Sequence, residues 1–280
     1  MLRIALLVLA AALLPTAQAQ EQFEFDSFDV VAGKPVRLLG HWFAAPNAKA
    51  SAPALVLLHG CSGPYERSGR LGQRMRSYAA LLNEQGAHAL VLDSLTPRGE
   101  KELCTQKLST RRVTQANRRL DALAALAWLA KRAGVDPQRL GLLGWSNGGS
   151  TVLATVNTRH PAVAAAGVKP AFAVAFYPGC EAELKRGFES RTPLLMLVGE
   201  ADDWTLAAPC HELAKVAAGP ARPEIEAYAG AYHGFDSTAP VRLRNDVPNG
   251  VKPGQGVHVG GDPAAREASR QRLLQFLAQY

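Results

Sequence analysis

Apolar residues in the middle of the chain gather into short unbroken runs rather than strict alternation. They occupy residues 54–58, 87–92, 140–143, 172–176 and 194–198, with a weaker run at 225–229. Runs of this length are the signature of strands covered on both faces. Between most of them the apolar positions recur at helical spacing, over residues 71–85, 113–132, 150–157, 207–217 and 264–278. Strand and helix in alternation predict an α/β domain with a mostly parallel, doubly wound sheet. Upstream, residues 21–28 and 36–43 read as two antiparallel strands around the turn Gly33-Lys34-Pro35. Residues 238–262, with Pro240, Pro248 and Pro253, follow neither period and predict a long surface loop before the last helix. No internal repeat or interdomain linker interrupts the pattern.

The first nineteen residues belong to a different pattern. Met1-Leu2-Arg3 precedes an apolar run from Ile4 to Leu14, which ends in Pro15 and Ala17-Gln18-Ala19. This reads as a secretory signal peptide cleaved after Ala19, since the run is shorter than the roughly 20 residues that span a bilayer. The expected division is therefore a leader over residues 1–19 and one domain over 20–280, released into an oxidising compartment such as a bacterial periplasm or the medium. Four cysteines in an exported chain of 280 residues suggest two disulfides, for which three pairings exist.

A formal charge of +7 is a mild excess. Its densest part, Arg111, Arg112, Arg118 and Arg119, interleaves with Val113, Ala116, Leu120 and Leu123 at helical spacing, which describes a solvated helix face. No aromatic residues alternate with these arginines, so a nucleic-acid partner is not expected. Stable membrane insertion is not expected either.

The chemistry concentrates at Gly144-Trp145-Ser146-Asn147-Gly148-Gly149, directly after the apolar run 140–143 and before a helical segment. A G-x-S-x-G sequence there is a nucleophile elbow. The sharp strand-to-helix turn lifts the serine oxygen above the sheet, and the flanking glycines make room for it. Ser146 then requires a base and an acid to orient that base. Of the seven histidines, His160 and His211 fall in helical segments, leaving His233 and His258 in downstream loops. His233 is the better candidate, because Ala231-Tyr232-His233-Gly234-Phe235 follows a strand and its glycine permits a loop that folds back over the elbow. The acid is sought in Gly199-Glu200-Ala201-Asp202-Asp203-Trp204, at the carboxyl end of a strand. Asp202 is preferred, with Asp203, Glu200 and Asp93 as rivals. Two backbone amides are expected to form the oxyanion hole, those of Asn147 and of Cys61 in His59-Gly60-Cys61-Ser62-Gly63.

With these motifs, and Asp262-Pro263-Ala264-Ala265 before the last helix, the chain resembles the dienelactone hydrolase family of α/β-hydrolases from about Val36 to its end. The resemblance implies the α/β-hydrolase fold and cleavage of ester or lactone bonds through a covalent intermediate, with no metal or organic cofactor. It carries catalytic roles to Ser146, Asp202 and His233. The founding activity uses cysteine at the elbow, so a serine here points to a general carboxylesterase acting on small molecules rather than to dienelactone itself. In the usual strand order of this fold, Cys61 can meet Cys104 and Cys180 can meet Cys210. Arg67 and Arg98, in loops after strands, are candidate contacts for a substrate carboxylate. Two other functions share these features: an exported serine peptidase or amidase, and a catalytically silent binding protein with a hydrolase fold.

Overall fold

The computed structural model describes residues 20–280. The signal peptide read over residues 1–19 lies outside them. Eight strands form one sheet: β1 (Gln20–Val31), β2 (Lys34–Phe43), β3 (Ala52–Leu58), β4 (His88–Asp93), β5 (Val135–Trp145), β6 (Phe172–Phe176), β7 (Leu194–Gly199) and β8 (Glu224–Tyr228). Their order is β1-β2-β4-β3-β5-β6-β7-β8. β2 is antiparallel to both neighbours, whereas every pairing from β4 across to β8 is parallel. This is the α/β-hydrolase arrangement, a mostly parallel sheet with an N-terminal antiparallel pair.

The unbroken apolar runs have a direct structural cause. Along β3, Ala54, Val56 and Leu58 enter one buried cluster and Leu55 and Leu57 the opposite one. The first cluster is covered by α2 (Gln115–Leu129), α3 (Asn147–Val156) and α6 (Ala208–Val216), through Leu126, Leu153 and Leu213 among others. The second lies beneath α1 (Gln73–Glu84) and α7 (Pro263–Leu277), through Met75, Leu82, Leu273 and Phe276. Each strand thus needs apolar side chains at odd and even positions alike.

Several boundaries differ from those the sequence predicts. The first turn is Ala32-Gly33, both left-handed at φ 49° and 77°, and Pro35 already pairs with Val30 inside the sheet. A two-residue turn of that handedness matches the twist of a hairpin. Two short helices, α4 (Pro161–Ala164) and α5 (Glu181–Arg186), add to the expected set. Within the segment predicted to be loop, β9 (Arg242–Arg244) and β10 (Val257–Val259) pair antiparallel as a separate ribbon.

Candidate active site

The turn from β5 into α3 is cramped. Ser146 adopts φ 54° and ψ −117°, a region L-residues seldom enter, and its N–H donates to the Phe176 carbonyl at 2.9 Å. A Cβ on Gly144 would lie 2.3 Å from the Gly148 carbonyl oxygen, so only glycine fits. The helix starts at Asn147, earlier than its residue preferences suggest, because Gly148 and Gly149 are weak helix formers held there by packing.

The structure brings Ser146, His233 and Asp202 together. Ser146 Oγ lies 2.9 Å from His233 Nε2, and His233 Nδ1 lies 2.8 Å from Asp202 Oδ2. The Nδ1–H tautomer fits both contacts, with the serine hydroxyl donating to the free Nε2. Both His233 and Asp202 are buried. The other oxygen of Asp202 accepts the N–H groups of Trp204 at 2.8 Å and Thr205 at 2.9 Å, which fixes the carboxylate in a tight turn after β7. Thr205 Oγ1 stands 3.0 Å from Asp202 Oδ2 and 3.1 Å from His233 Nδ1.

Two aromatic rings also pack against the imidazole, one edge-on and one tilted. The rings of Tyr177 and Trp204 each lie 4.7 Å from it, centroid to centroid. Tyr177, itself at φ 37°, donates its hydroxyl to Asp236 at 2.7 Å, and Asp236 accepts two hydrogen bonds from Arg74. The His233 carbonyl accepts the Gly260 N–H at 3.0 Å, so the β9–β10 ribbon braces the loop from outside.

The rivals for the acid are engaged elsewhere. Asp203 Oδ2 pairs with His258 Nδ1 at 2.7 Å and ties down the ribbon, while Glu200 meets His211 at 2.7 Å. Asp93 caps its own turn, accepting the N–H groups of Leu95 and Thr96. His160 pairs with Glu183.

Cys61 and Ser146 line a common cleft of about 260 Å³. Among the described residues, the backbone amides of Cys61 and Asn147 donate to no protein acceptor. Disulfides join Cys61 to Cys104 and Cys180 to Cys210, with Cα separations of 5.0 and 5.1 Å. The first lies in the cleft wall.

The two arginines expected as substrate contacts need correction. Arg98 is spent in a buried network, donating to Asp29 at 2.6 Å and to both oxygens of Asp121 at 2.8 Å. Arg67 is exposed and does not line the cleft. The arginines that do line it are Arg74, Arg242 and Arg244. Arg242 and Arg244 carried no signal in the sequence, because the ribbon that brings them there has only three residues per strand. Among the described residues no cluster of three or more His, Cys, Asp or Glu is arranged to hold a metal, and no helix is long and apolar enough to cross a membrane.

A sequence profile of the Dienelactone hydrolase family matches residues 41–280. The chain belongs to the dienelactone hydrolase family. Membership places it among the carboxylic ester hydrolases. Similar solved structures include a dienelactone hydrolase from Anabaena variabilis, with 16% identity, a TM-score of 0.62 and coverage of 94% of this chain and 98% of that one. A dienelactone hydrolase-like promiscuous phosphotriesterase from metagenomic libraries has 18% identity and a TM-score of 0.63, covering 93% and 98%. Esterase 2 of Thermogutta terrifontis, in a form phosphorylated by paraoxon, has 16% identity and a TM-score of 0.60, covering 93% and 94%. At these identities the likeness is one of fold. The comparison with curated proteins finds no match.

Proposed function

We propose that this dienelactone hydrolase family member cleaves carboxylic ester or lactone bonds through an acyl-enzyme on Ser146. The observation that carries the reading is the continuous chain from Ser146 Oγ through His233 to Asp202, at 2.9 and 2.8 Å. His233 takes the serine proton as Oγ attacks the carbonyl carbon. The resulting oxyanion is met by the N–H groups of Cys61 and Asn147, at the start of α3, where the helix dipole adds positive potential. Asp202 holds the imidazole in its tautomer and stabilises the imidazolium. The proton then passes to the leaving oxygen, the acyl group stays on Ser146, and water activated by the same histidine releases it. The esterase from Thermogutta terrifontis is phosphorylated by paraoxon. An analogous adduct on Ser146 fits the same nucleophile.

A cleft of about 260 Å³ suits small acyl and leaving groups. The signal-peptide pattern read in residues 1–19 and the two disulfides support an exported, periplasmic or secreted protein. Hydrolysis of p-nitrophenyl acetate and of a simple lactone by the wild type, Ser146→Ala and His233→Ala tests the reading. Turnover by the wild type, lost in both variants, is expected. Wild-type activity in Ser146→Ala would refute it. Matched ester and amide substrates separate an esterase from a peptidase.

A further inference from the structure

One buried cation sits beneath this site with no carboxylate in direct ion-pair contact among the described residues, Asp121 and Asp93 acting on it only from a distance. Arg118, on α2, is fully buried. Among the described residues it makes no salt bridge, whereas its neighbour Arg98 takes both Asp29 and Asp121. Its two Nη groups donate to neutral acceptors, while its buried Nε has no partner. One Nη donates to the side-chain oxygen of Asn147, and the other to the backbone carbonyl of His59 at 2.8 Å. Burial pushes Arg118 down to about 10, opposed by the charges of Asp121 and Asp93, so it remains a cation at neutral pH. Burying a charge for two neutral hydrogen bonds is costly, and an apolar side chain would fill the space more cheaply.

The identity of the two acceptors gives that cost a purpose. Asn147 supplies one of the amides assigned to the oxyanion hole, and His59 lies two residues before Cys61, which supplies the other. The planar fork of Arg118 therefore spans the two loops whose spacing defines the hole, and α2 is the rigid base from which it does so. Gln115, one turn earlier on α2, adds a second tie by donating to the Asn147 carbonyl at 3.1 Å, and its own oxygen accepts the Thr151 hydroxyl at 2.7 Å. A lysine at 118 has one ammonium for two divergent acceptors and would hold only one loop firmly.

We propose that Arg118 is a positioning residue for the oxyanion hole, setting the separation of the Cys61 and Asn147 amides. The inference rests on the serine-hydrolase reading above. It touches no substrate. Its contribution lies in the transition state, because a donor displaced by a fraction of an ångström still admits the planar ester but no longer meets the tetrahedral oxyanion.

The test compares the wild type with Arg118→Met, Arg118→Lys and Asn147→Ala, using p-nitrophenyl acetate and a methyl trifluoromethyl ketone that mimics the tetrahedral intermediate. Arg118→Met should lower kcat about tenfold to a hundredfold with KM within about twofold, and weaken the ketone by a similar factor. Arg118→Lys should recover part of the loss. Asn147→Ala keeps the backbone amide but cuts one arm of the fork, so it should lose about threefold to tenfold and serve as the arbiter if Arg118→Met does not fold. Wild-type kcat and ketone affinity in the variants would overturn the proposal. So would a loss of thermal stability with ketone affinity unchanged, which describes a purely structural arginine. Ser146→Ala separates the two levels: activity surviving there sinks the serine mechanism itself, whereas activity lost there but intact in the Arg118 variants sinks only the role of Arg118.

Discussion

The α-carbon of Gly148 faces the carbonyl oxygen of Leu58 so closely that a Cβ would lie 1.9 Å from it. Helix α3 thereby rests on the end of β3, and the two amides assigned to the oxyanion hole come from the chain segments meeting at that contact. Gly148→Ala must push the segments apart, since the atom it strikes is backbone. Its ester hydrolysis should fall by about tenfold or more, with a loss of about 1–3 kcal/mol in denaturant unfolding. Kinetics and unfolding on the same preparation check both.

Asp202 and Asp203 are adjacent but hold different things. Asp202→Asn should lower kcat by about a thousandfold to ten-thousandfold with the fold intact, because the amide cannot stabilise the imidazolium and favours the wrong tautomer. Asp203→Asn disturbs the pair with His258 and the ribbon behind it. Its main effect should fall on KM, with kcat within about tenfold. Steady-state kinetics of the two variants side by side decides the assignment of the acid.

Acid should destabilise the protein well before its carboxylates are protonated. His59 is fully buried, its Nε2 has no partner, and burial, assisted by the charge of Arg118, pushes it from 6.5 down to about 3. The unfolded chain takes up that proton as pH falls through 6.5, while the folded chain resists until near 3. The stabilisation is therefore complete above about pH 6.5 and declines towards pH 3, by up to about 1.4 kcal/mol per pH unit for one proton. Burial lowers His41, His88 and His160 as well, adding slope of the same sign. Urea midpoints of the wild type and His59→Phe between about pH 8 and pH 5 should show a shallower decline in the variant.

The two disulfides should separate in their effects. Each closes a loop, spanning 43 and 30 residues, whose loss costs up to about 4 kcal/mol by the chain-entropy model. Cys61–Cys104 also anchors the loop whose Cys61 amide is proposed for the oxyanion hole. Cys61→Ala with Cys104→Ala should lower both melting temperature and kcat. Cys180→Ala with Cys210→Ala should lower melting temperature alone.

The central sheet was legible because its strands obey a local rule. Phe172–Phe176 is apolar at all five positions, since both its faces are covered, and the run marks the strand without knowledge of its neighbours. The elbow was legible for a similar reason, as the glycines that its geometry demands are adjacent in sequence. The walls of the cleft were not. Arg74 comes from α1, Tyr177 from the turn after β6, and Arg242 and Arg244 from a ribbon whose strands are too short to carry a period. The role of Arg98 is not local either: a loop arginine after a strand looks free to meet a substrate, and its partners Asp29 and Asp121 are 69 and 23 residues away. By its spacing alone, Arg118 belongs to a solvated helix face. Its burial follows from the packing of α2 against the elbow, which no local pattern records.

The central proposal is that Ser146 Oγ is the atom that bonds to substrate. Reaction of the folded protein with a fluorophosphonate, followed by intact-mass and peptide mass spectrometry, tests this directly. A single adduct is expected on the peptide containing Ser146, absent from Ser146→Ala and slowed in His233→Ala. An adduct on another residue, or undiminished labelling of Ser146→Ala, would contradict it.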